Sequence, residues 1–203
     1  KKATFRGGVP VPHWKNTAEA ETLQMGVPSK VYIPMLQHIG APCTPVVNKG
    51  DTVKVGQVIG TSDKLISAPI HSSVSGRVTN VAPMVVFNGQ SVMTVEIETD
   101  GLQEVHEDVK PPVFNNKEEF LEQLKKSGLV GLGGAGFPTH VKLAPPPGKE
   151  VDTLIINGSE CEPYITSDYR EIIENSWNIL LGVYTLVDLF GFKNVWIGIE
   201  DNK

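Results

Sequence analysis

The chain has 203 residues, 40% hydrophobic and 20% charged, with a formal net charge of -5 at pH 7. That is enough for one sizeable core or two small ones, and the acidic balance excludes a nonspecific nucleic-acid binder, which needs a basic face. No apolar run reaches the roughly 20 residues of a membrane-spanning helix; the longest, Ile179 to Phe190, contains Asp188. The opening Lys1-Lys2 leads directly into polar sequence, so no signal peptide is expected.

Residues 1 to about 30 carry Gly7-Gly8, Pro10 and Pro12 and few regular apolar repeats. They predict an extended arm. Short β-rich runs follow: Val31-Tyr32-Ile33, Pro45-Val46-Val47, Thr52 to Val55, Gln57-Val58-Ile59, Gly76 to Val81 and Ser91 to Ile97. Glycine and proline separate them, which predicts a small all-β domain over residues 31–105. Lys49 to Gln57 and Ala68 to Gly76 resemble the two halves of a biotinyl or lipoyl carrier domain, a flattened β-sandwich. Lys64 would then be the modified lysine, although the Gly60–Ala68 stretch is short for such a hairpin and lacks an acidic approach. A solvated turn lysine is the plain alternative.

Asp108 to Pro112 reads as a charged linker. Asn116 is placed to cap a helix from Lys117 to Lys126, with Phe120, Leu121 and Leu124 on one face and Gly128 ending it. Pro145-Pro146-Pro147-Gly148 predicts a rigid surface turn. Val151 to Ile156 predicts a buried parallel strand. A long helix is predicted within Asp168 to Phe190 and a second strand over Val195 to Ile199. Strand, helix and strand make a βαβ unit with a parallel sheet, part of a truncated Rossmann-like domain over residues 106–203.

Two segments carry the chemistry. The first is Gly131-Leu132-Gly133-Gly134-Ala135-Gly136-Phe137-Pro138-Thr139, with Lys142 just beyond. A glycine-rich turn lets phosphate approach backbone amides unhindered by a Cβ, and a nearby lysine neutralises it. Gly131, Gly133 and Gly136 also satisfy G-x-G-x-x-G, but a dinucleotide fingerprint needs a strand before the glycines and a helix after. Here a helix precedes and Pro138 follows, so a structural turn is the competing reading. The second segment, Asn157-Gly158-Ser159-Glu160-Cys161-Glu162-Pro163, places an amide and carboxylates at the C-terminal end of a predicted strand, where α/β folds bind ligands. Together they describe a nucleotide or flavin site.

The combined string G-x-GGAGFPT-x-x-K and N-x-x-E-x-EP resembles the flavin-binding subunit family of respiratory complex I. It resembles more closely the C subunit of the Rnf ion-translocating electron-transport complex, whose second segment runs N-G-x-E-C-E-P. Thr4 to Gly8, Gln37 to Pro42 and Ala68 to Gly76 extend the likeness over nearly the whole chain. The resemblance implies a barrel-sandwich hybrid followed by the first half of an FMN- and NADH-binding domain. It sets Gly131, Gly133, Gly134 and Gly136 against the flavin, Phe137 on the nicotinamide-nucleotide side and Lys142 at the phosphate. It places Asn157 on the flavin, and Glu160 and Glu162 near the flavin and the nicotinamide ribose. Ser159 belongs to the same set, although the complex I subunit has aspartate there. Cys161 stands where that subunit has serine; a small buried residue is the plain reading for it.

The implied activity moves electrons between ferredoxin, iron–sulfur clusters and NAD through FMN, coupled to ion translocation. Its partners would be other subunits at the cytoplasmic face of the membrane. Hydride transfer between nicotinamide and flavin needs stacking rather than a protein acid or base, so no catalytic residue is assigned. Cys43 and Cys161 cannot supply the roughly four thiolates of a cluster. The clusters are expected outside residues 1–203, and this stretch alone is expected to be inactive. His13, His38, His71, His106 and His140 lack zinc-like spacing, so no metal site is expected. The rivals are a soluble cobalamin-reductase-like flavoprotein and a non-catalytic carrier or docking module.

Overall fold

The computed structural model describes residues 11–132 and 134–200. The first ten residues of the predicted arm, and Gly133 of the glycine loop, lie outside them. The chain divides into two compact units, residues 25–150 and residues 1–24 together with 151–203.

The first unit is mostly antiparallel β. Its strands are β1 (Lys30–Pro34), β2 (Thr44–Pro45), β3 (Thr52–Val53), β4 (Val58–Thr61), β5 (Ile70–His71), β6 (Gly76–Val85) and β7 (Ser91–Thr99). They form one sheet in the order β1-β7-β6-β3 and another in the order β2-β4-β5. Ile33, Val53, Val78, Val95 and Ile97 from the first sheet meet Ile59 and Ile70 from the second in one core, closed by Met35, Cys43, Val47 and Val74. A β-bulge in β6 between Val78 and Asn80 leaves Val78 opposite Ile97 and Asn80 opposite Glu96. The extra residue keeps the apolar pair inside while Thr79 donates to the Glu96 carboxylate at 2.8 Å. This is the expected barrel-sandwich hybrid.

Lys64 occupies the segment between β4 and β5. Its continuation is pinned down: the Ile66 carbonyl accepts from Ala41 N–H at 2.9 Å, and Ser67 and Ala68 are buried.

Helix α1 (Lys117–Lys126) starts as its sequence predicts. The Asn116 side chain accepts from Glu119 N–H at 2.8 Å, while the Glu119 carboxylate accepts from Asn115 N–H at 2.8 Å. The first bond satisfies a donor that the first turn otherwise leaves open, and the second ties the residue before the cap to that turn. Gly128, at φ 72°, ends the helix. Phe120, Leu121 and Leu124 are half-buried, with Phe120 edge-on to Phe114 at 5.1 Å. The short helix α2 (Thr139–Lys142) follows the glycine loop.

In the second unit, β8 (Thr153–Gly158) pairs in parallel with β9 (Asn194–Ile199), as a βαβ unit requires. Two expectations are corrected here. The predicted long helix is two helices, α3 (Ser167–Glu174) and α4 (Ser176–Phe190). They break at Asn175, whose φ of -121° leaves the helical region and whose amide donates back to the Glu171 carboxylate at 2.9 Å. Asparagine's local hydrogen bonding competes with helix continuation. The parallel strands are also not buried among the described residues. Every residue of β9 is exposed, and Ile155 of β8 is 69% exposed. A parallel sheet needs helices on both faces, and a single strand–helices–strand passage covers too little of it.

Candidate functional site

The expected site residues fall in both units: Gly131, Gly134, Gly136, Phe137 and Lys142 in the first, Asn157, Ser159, Glu160 and Glu162 in the second.

The glycine loop is pinched at its mouth. Val130 and Pro138 form an antiparallel bridge, and Gly131 N–H donates to the Phe137 carbonyl at 3.0 Å. Within the loop the glycines differ. Gly136 has φ 66°, a conformation L side chains rarely adopt, and its carbonyl accepts from Ile39 N–H at 3.0 Å. It fastens the loop to the β-domain. Gly134 does the opposite: a Cβ built there meets nothing within 4 Å. Its backbone faces open space, as a surface for close approach by a cofactor requires. The Lys142 Nζ lies 3.7 Å from where a Cβ on Gly131 would stand, so an ammonium sits beside the mouth of the loop. Phe137 is half-buried.

In α2 the His140 ring is buried, and neither nitrogen has a hydrogen-bond partner. Burial holds His140 below the usual histidine range; the Lys125 charge adds to this, and the nearby Leu65 carbonyl opposes it. Its neighbour His38 is satisfied: Ala68 N–H donates to its Nε2 at 3.1 Å, which leaves Nδ1–H to donate to the Ile39 carbonyl at 3.1 Å. Because the folded form favours neutral His140, its contribution is full above the unfolded value of about 6.5 and is lost as pH falls toward the lower folded value. His140→Leu is therefore expected to keep or raise the melting temperature at about pH 7.5 and to flatten its fall toward about pH 5.5, since a buried unpaired polar group costs roughly 1–3 kcal/mol. Thermal melts across that range check it.

In the second unit Asn157 and Gly158 close β8, opposite Gly198 and Ile199. The Asn157 side-chain carbonyl accepts from Ser159 N–H at 3.1 Å, turning the chain sharply out of the strand. Asn157, Ser159, Cys161 and Glu162 are exposed; Glu160 is 2% exposed. The Glu160 carboxylate accepts from Asp168 N–H at 2.7 Å and from the Ser167 hydroxyl at 3.3 Å. It thus caps the N-terminus of α3, whose own N-cap, Thr166, makes no side-chain capping bond. The helix dipole favours a carboxylate at that end. Glu162 takes no part in this cap.

Sequence reasoning missed Lys15. Its Nζ donates to the carbonyls of Glu160, Glu162 and Ile165 at 2.7, 2.8 and 2.6 Å and lies 3.7 Å from the Glu160 carboxylate. Tyr164 N–H donates to the His13 carbonyl at 2.8 Å, and the Trp14 and Tyr164 rings stack at 6.5 Å with planes 9° apart. Both residues are left-handed, at φ 50° and 69°. Such backbone costs non-glycine residues roughly 1–2 kcal/mol each, and it persists where surrounding contacts fix it. No sequence signal marked this contact, which joins the arm to residues 160–165, far along the chain.

A cavity of about 160 Å³ lies beside this segment, lined by Gly158, Glu160, Tyr169, Ile172, Ile173 and Ile199. Ligand pockets run from about 300 Å³ upward, so it is a packing gap beside the segment. A larger groove, about 550 Å³, runs between α1 and residues 108–114 and is lined by none of the expected site residues. Among the described residues no helix is long and apolar enough to cross a membrane, and no cluster of metal-ligating side chains occurs.

The first unit is a barrel-sandwich hybrid that carries an open glycine loop, and the second ends a parallel strand in an amide–carboxylate turn. Similarity to known proteins gives the class. The RnfC barrel sandwich hybrid domain matches residues 3–102, and the Nuo51 FMN-binding domain matches residues 124–203. The chain is 44% identical over 209 residues to the C subunit of the Na(+)-translocating ferredoxin:NAD(+) oxidoreductase complex of Acetobacterium woodii, and 46% identical over 205 residues to its proton-translocating counterpart from Clostridium ljungdahlii. It is 38% identical over 204 residues to the C subunit of the ion-translocating oxidoreductase complex of Pseudomonas aeruginosa. These alignments take in 98–100% of this chain and 47%, 45% and 26% of the respective relatives. The chain belongs to the C-subunit family of Rnf-type ion-translocating oxidoreductase complexes, and it spans about half the length of the first two relatives.

Proposed function

We propose that this chain forms the front part of the flavin and nicotinamide site of a ferredoxin:NAD oxidoreductase subunit, in a complex that couples electron transfer to ion translocation. FMN, when bound, would accept a hydride from NADH, or return one to NAD, and exchange electrons singly with iron–sulfur clusters elsewhere in the protein. The observation that carries the reading is Gly134, whose backbone faces open space in a loop with the Lys142 ammonium at its mouth. The residues present fit a phosphorylated flavin. Gly131, Gly134 and Gly136 would admit it to the backbone, Lys142 would balance its phosphate, and the exposed Asn157 and Ser159 would meet its polar edge. Gly133 completes the loop in sequence. Phe137 and Glu162 would receive the nicotinamide nucleotide, and Glu160 would shape the turn that carries Glu162. The partners in this reading are the other subunits of the complex, NAD(H) directly and ferredoxin indirectly, with the subunit held at the cytoplasmic face of the membrane.

The experiment is Glu162→Gln in the full-length subunit. A carboxylate accepts ribose hydroxyls strongly, and losing one charge-assisted hydrogen bond costs roughly 1.5–3 kcal/mol, about ten- to a hundred-fold in affinity. The expected result is retained FMN with a weakened NADH concentration dependence of flavin reduction in stopped flow. The alternative, that Glu162 only steadies a helix end, is disfavoured because Glu160 fills that position. A lowered melting point with unchanged NADH dependence would restore it.

A further inference from the structure

The Lys15 ammonium has three N–H donors, and three carbonyls of one loop, those of Glu160, Glu162 and Ile165, receive them at 2.6–2.8 Å. Nothing in the loop's own sequence would converge those carbonyls, because aligned carbonyl dipoles repel unless a cation gathers them. The Glu160 carboxylate, 3.7 Å away, balances the charge and at the same time caps α3. The rest of the arm follows the same course. The Thr17 hydroxyl meets the Thr166 hydroxyl at 2.7 Å, Arg170 donates to the Ala18 carbonyl at 3.1 Å, and Thr22 N–H donates to the Glu174 carboxylate at 2.9 Å. From His13 to Thr22 the arm is laid along residues 160–174. The stacked Trp14 and Tyr164, both left-handed, mark where it is most tightly constrained.

We propose that the arm is an intramolecular clasp for the nucleotide-binding turn and that Lys15 is a positioning residue for NADH. It grips the main chain of Glu162, so the Glu162 carboxylate is presented from a fixed backbone. The inference rests on the nucleotide-binding reading of Glu162 given above. Without the clasp the turn samples other conformations, and apparent affinity falls by the fraction of time the competent one is lost. The glycine loop and Lys142 belong to the other compact unit, so FMN retention through that loop is expected to be far less affected.

The test is Lys15→Met in the full-length subunit, with three readouts. Hydrogen exchange of amides 160–168 is expected to quicken, FMN content to stay near wild type, and the Kd for NADH to rise roughly tenfold. Lys15→Arg, which keeps the charge and several donors, is expected to recover most of the affinity. Should Lys15→Met fail to fold, Thr17→Val loosens the same clasp more gently and is expected to move exchange and Kd the same way by less. Unchanged NADH affinity in a folded variant whose 160–168 amides exchange faster overturns the clasp's role and leaves the function reading standing. A wild-type subunit that holds FMN but binds no NADH overturns both.

Discussion

Gly134→Val in the full-length subunit is expected to purify without flavin while the β-domain remains folded. A Cβ at this position meets no atom of the protein within 4 Å, so the substitution has no clash of its own to relieve. In the proposed reading, the valine methyls fill the space through which the flavin would reach the loop's backbone. Gly136→Ala makes the control. At φ 66°, and with its carbonyl bonded to Ile39 N–H, Gly136 holds the loop in place, so alanine is expected to cost about 1–2 kcal/mol of stability. Flavin content and a melting curve, measured on both variants, separate occlusion from unfolding. Wild-type flavin content in Gly134→Val would remove the loop from the site.

The second large effect is expected at Glu160. Glu160→Ala removes a buried carboxylate from two capping hydrogen bonds and from Lys15, and leaves that ammonium without its counter-charge. Hydrogen bonds to charged groups contribute roughly 1.5–3 kcal/mol, and a broken partly buried pair adds to that, so a loss of about 2–4 kcal/mol is expected. Glu160→Gln, which can still accept from Asp168 N–H, is expected to lose less. Denaturant unfolding of both variants checks the order. Equal loss in both would mean that the charge, rather than the cap, is what matters.

The contrast between Glu160 and Glu162 marks how far the sequence could be read. Both carboxylates sit in one motif, and the family resemblance places both near the cofactors. Glu160 turns inward because it meets the start of α3 and an ammonium 145 positions away along the chain. Nothing in the spacing of the motif encodes that meeting. The glycine loop, by contrast, was legible because its chemistry is local: consecutive glycines, a proline and a lysine specify an open turn wherever it is packed. The cap of α1 was legible for the same reason, since Asn116 and Glu119 are three residues apart.

Strands β1, β6 and β7 followed their β-branched runs. The two-residue β5 escaped notice because Ile70-His71 is too short to have a period. The break at Asn175 was hidden by the apolar repeat on both sides of it, which continues through Ile172, Ile173, Trp177 and Leu180 as though one helix carried it. The exposure of β8 and β9 was hidden more deeply: a run of β-branched residues reports that a strand needs cover, and not which element supplies it.

The proposal most open to test is that the glycine loop binds a flavin and that Glu162 receives a nicotinamide nucleotide. The most direct measurement is an anaerobic titration of the full-length subunit, loaded with FMN, against NADH. Stoichiometric bleaching of the bound flavin by NADH is expected in the wild-type protein, with a weaker NADH dependence in Glu162→Gln. A flavin that stays oxidised at saturating NADH would contradict it.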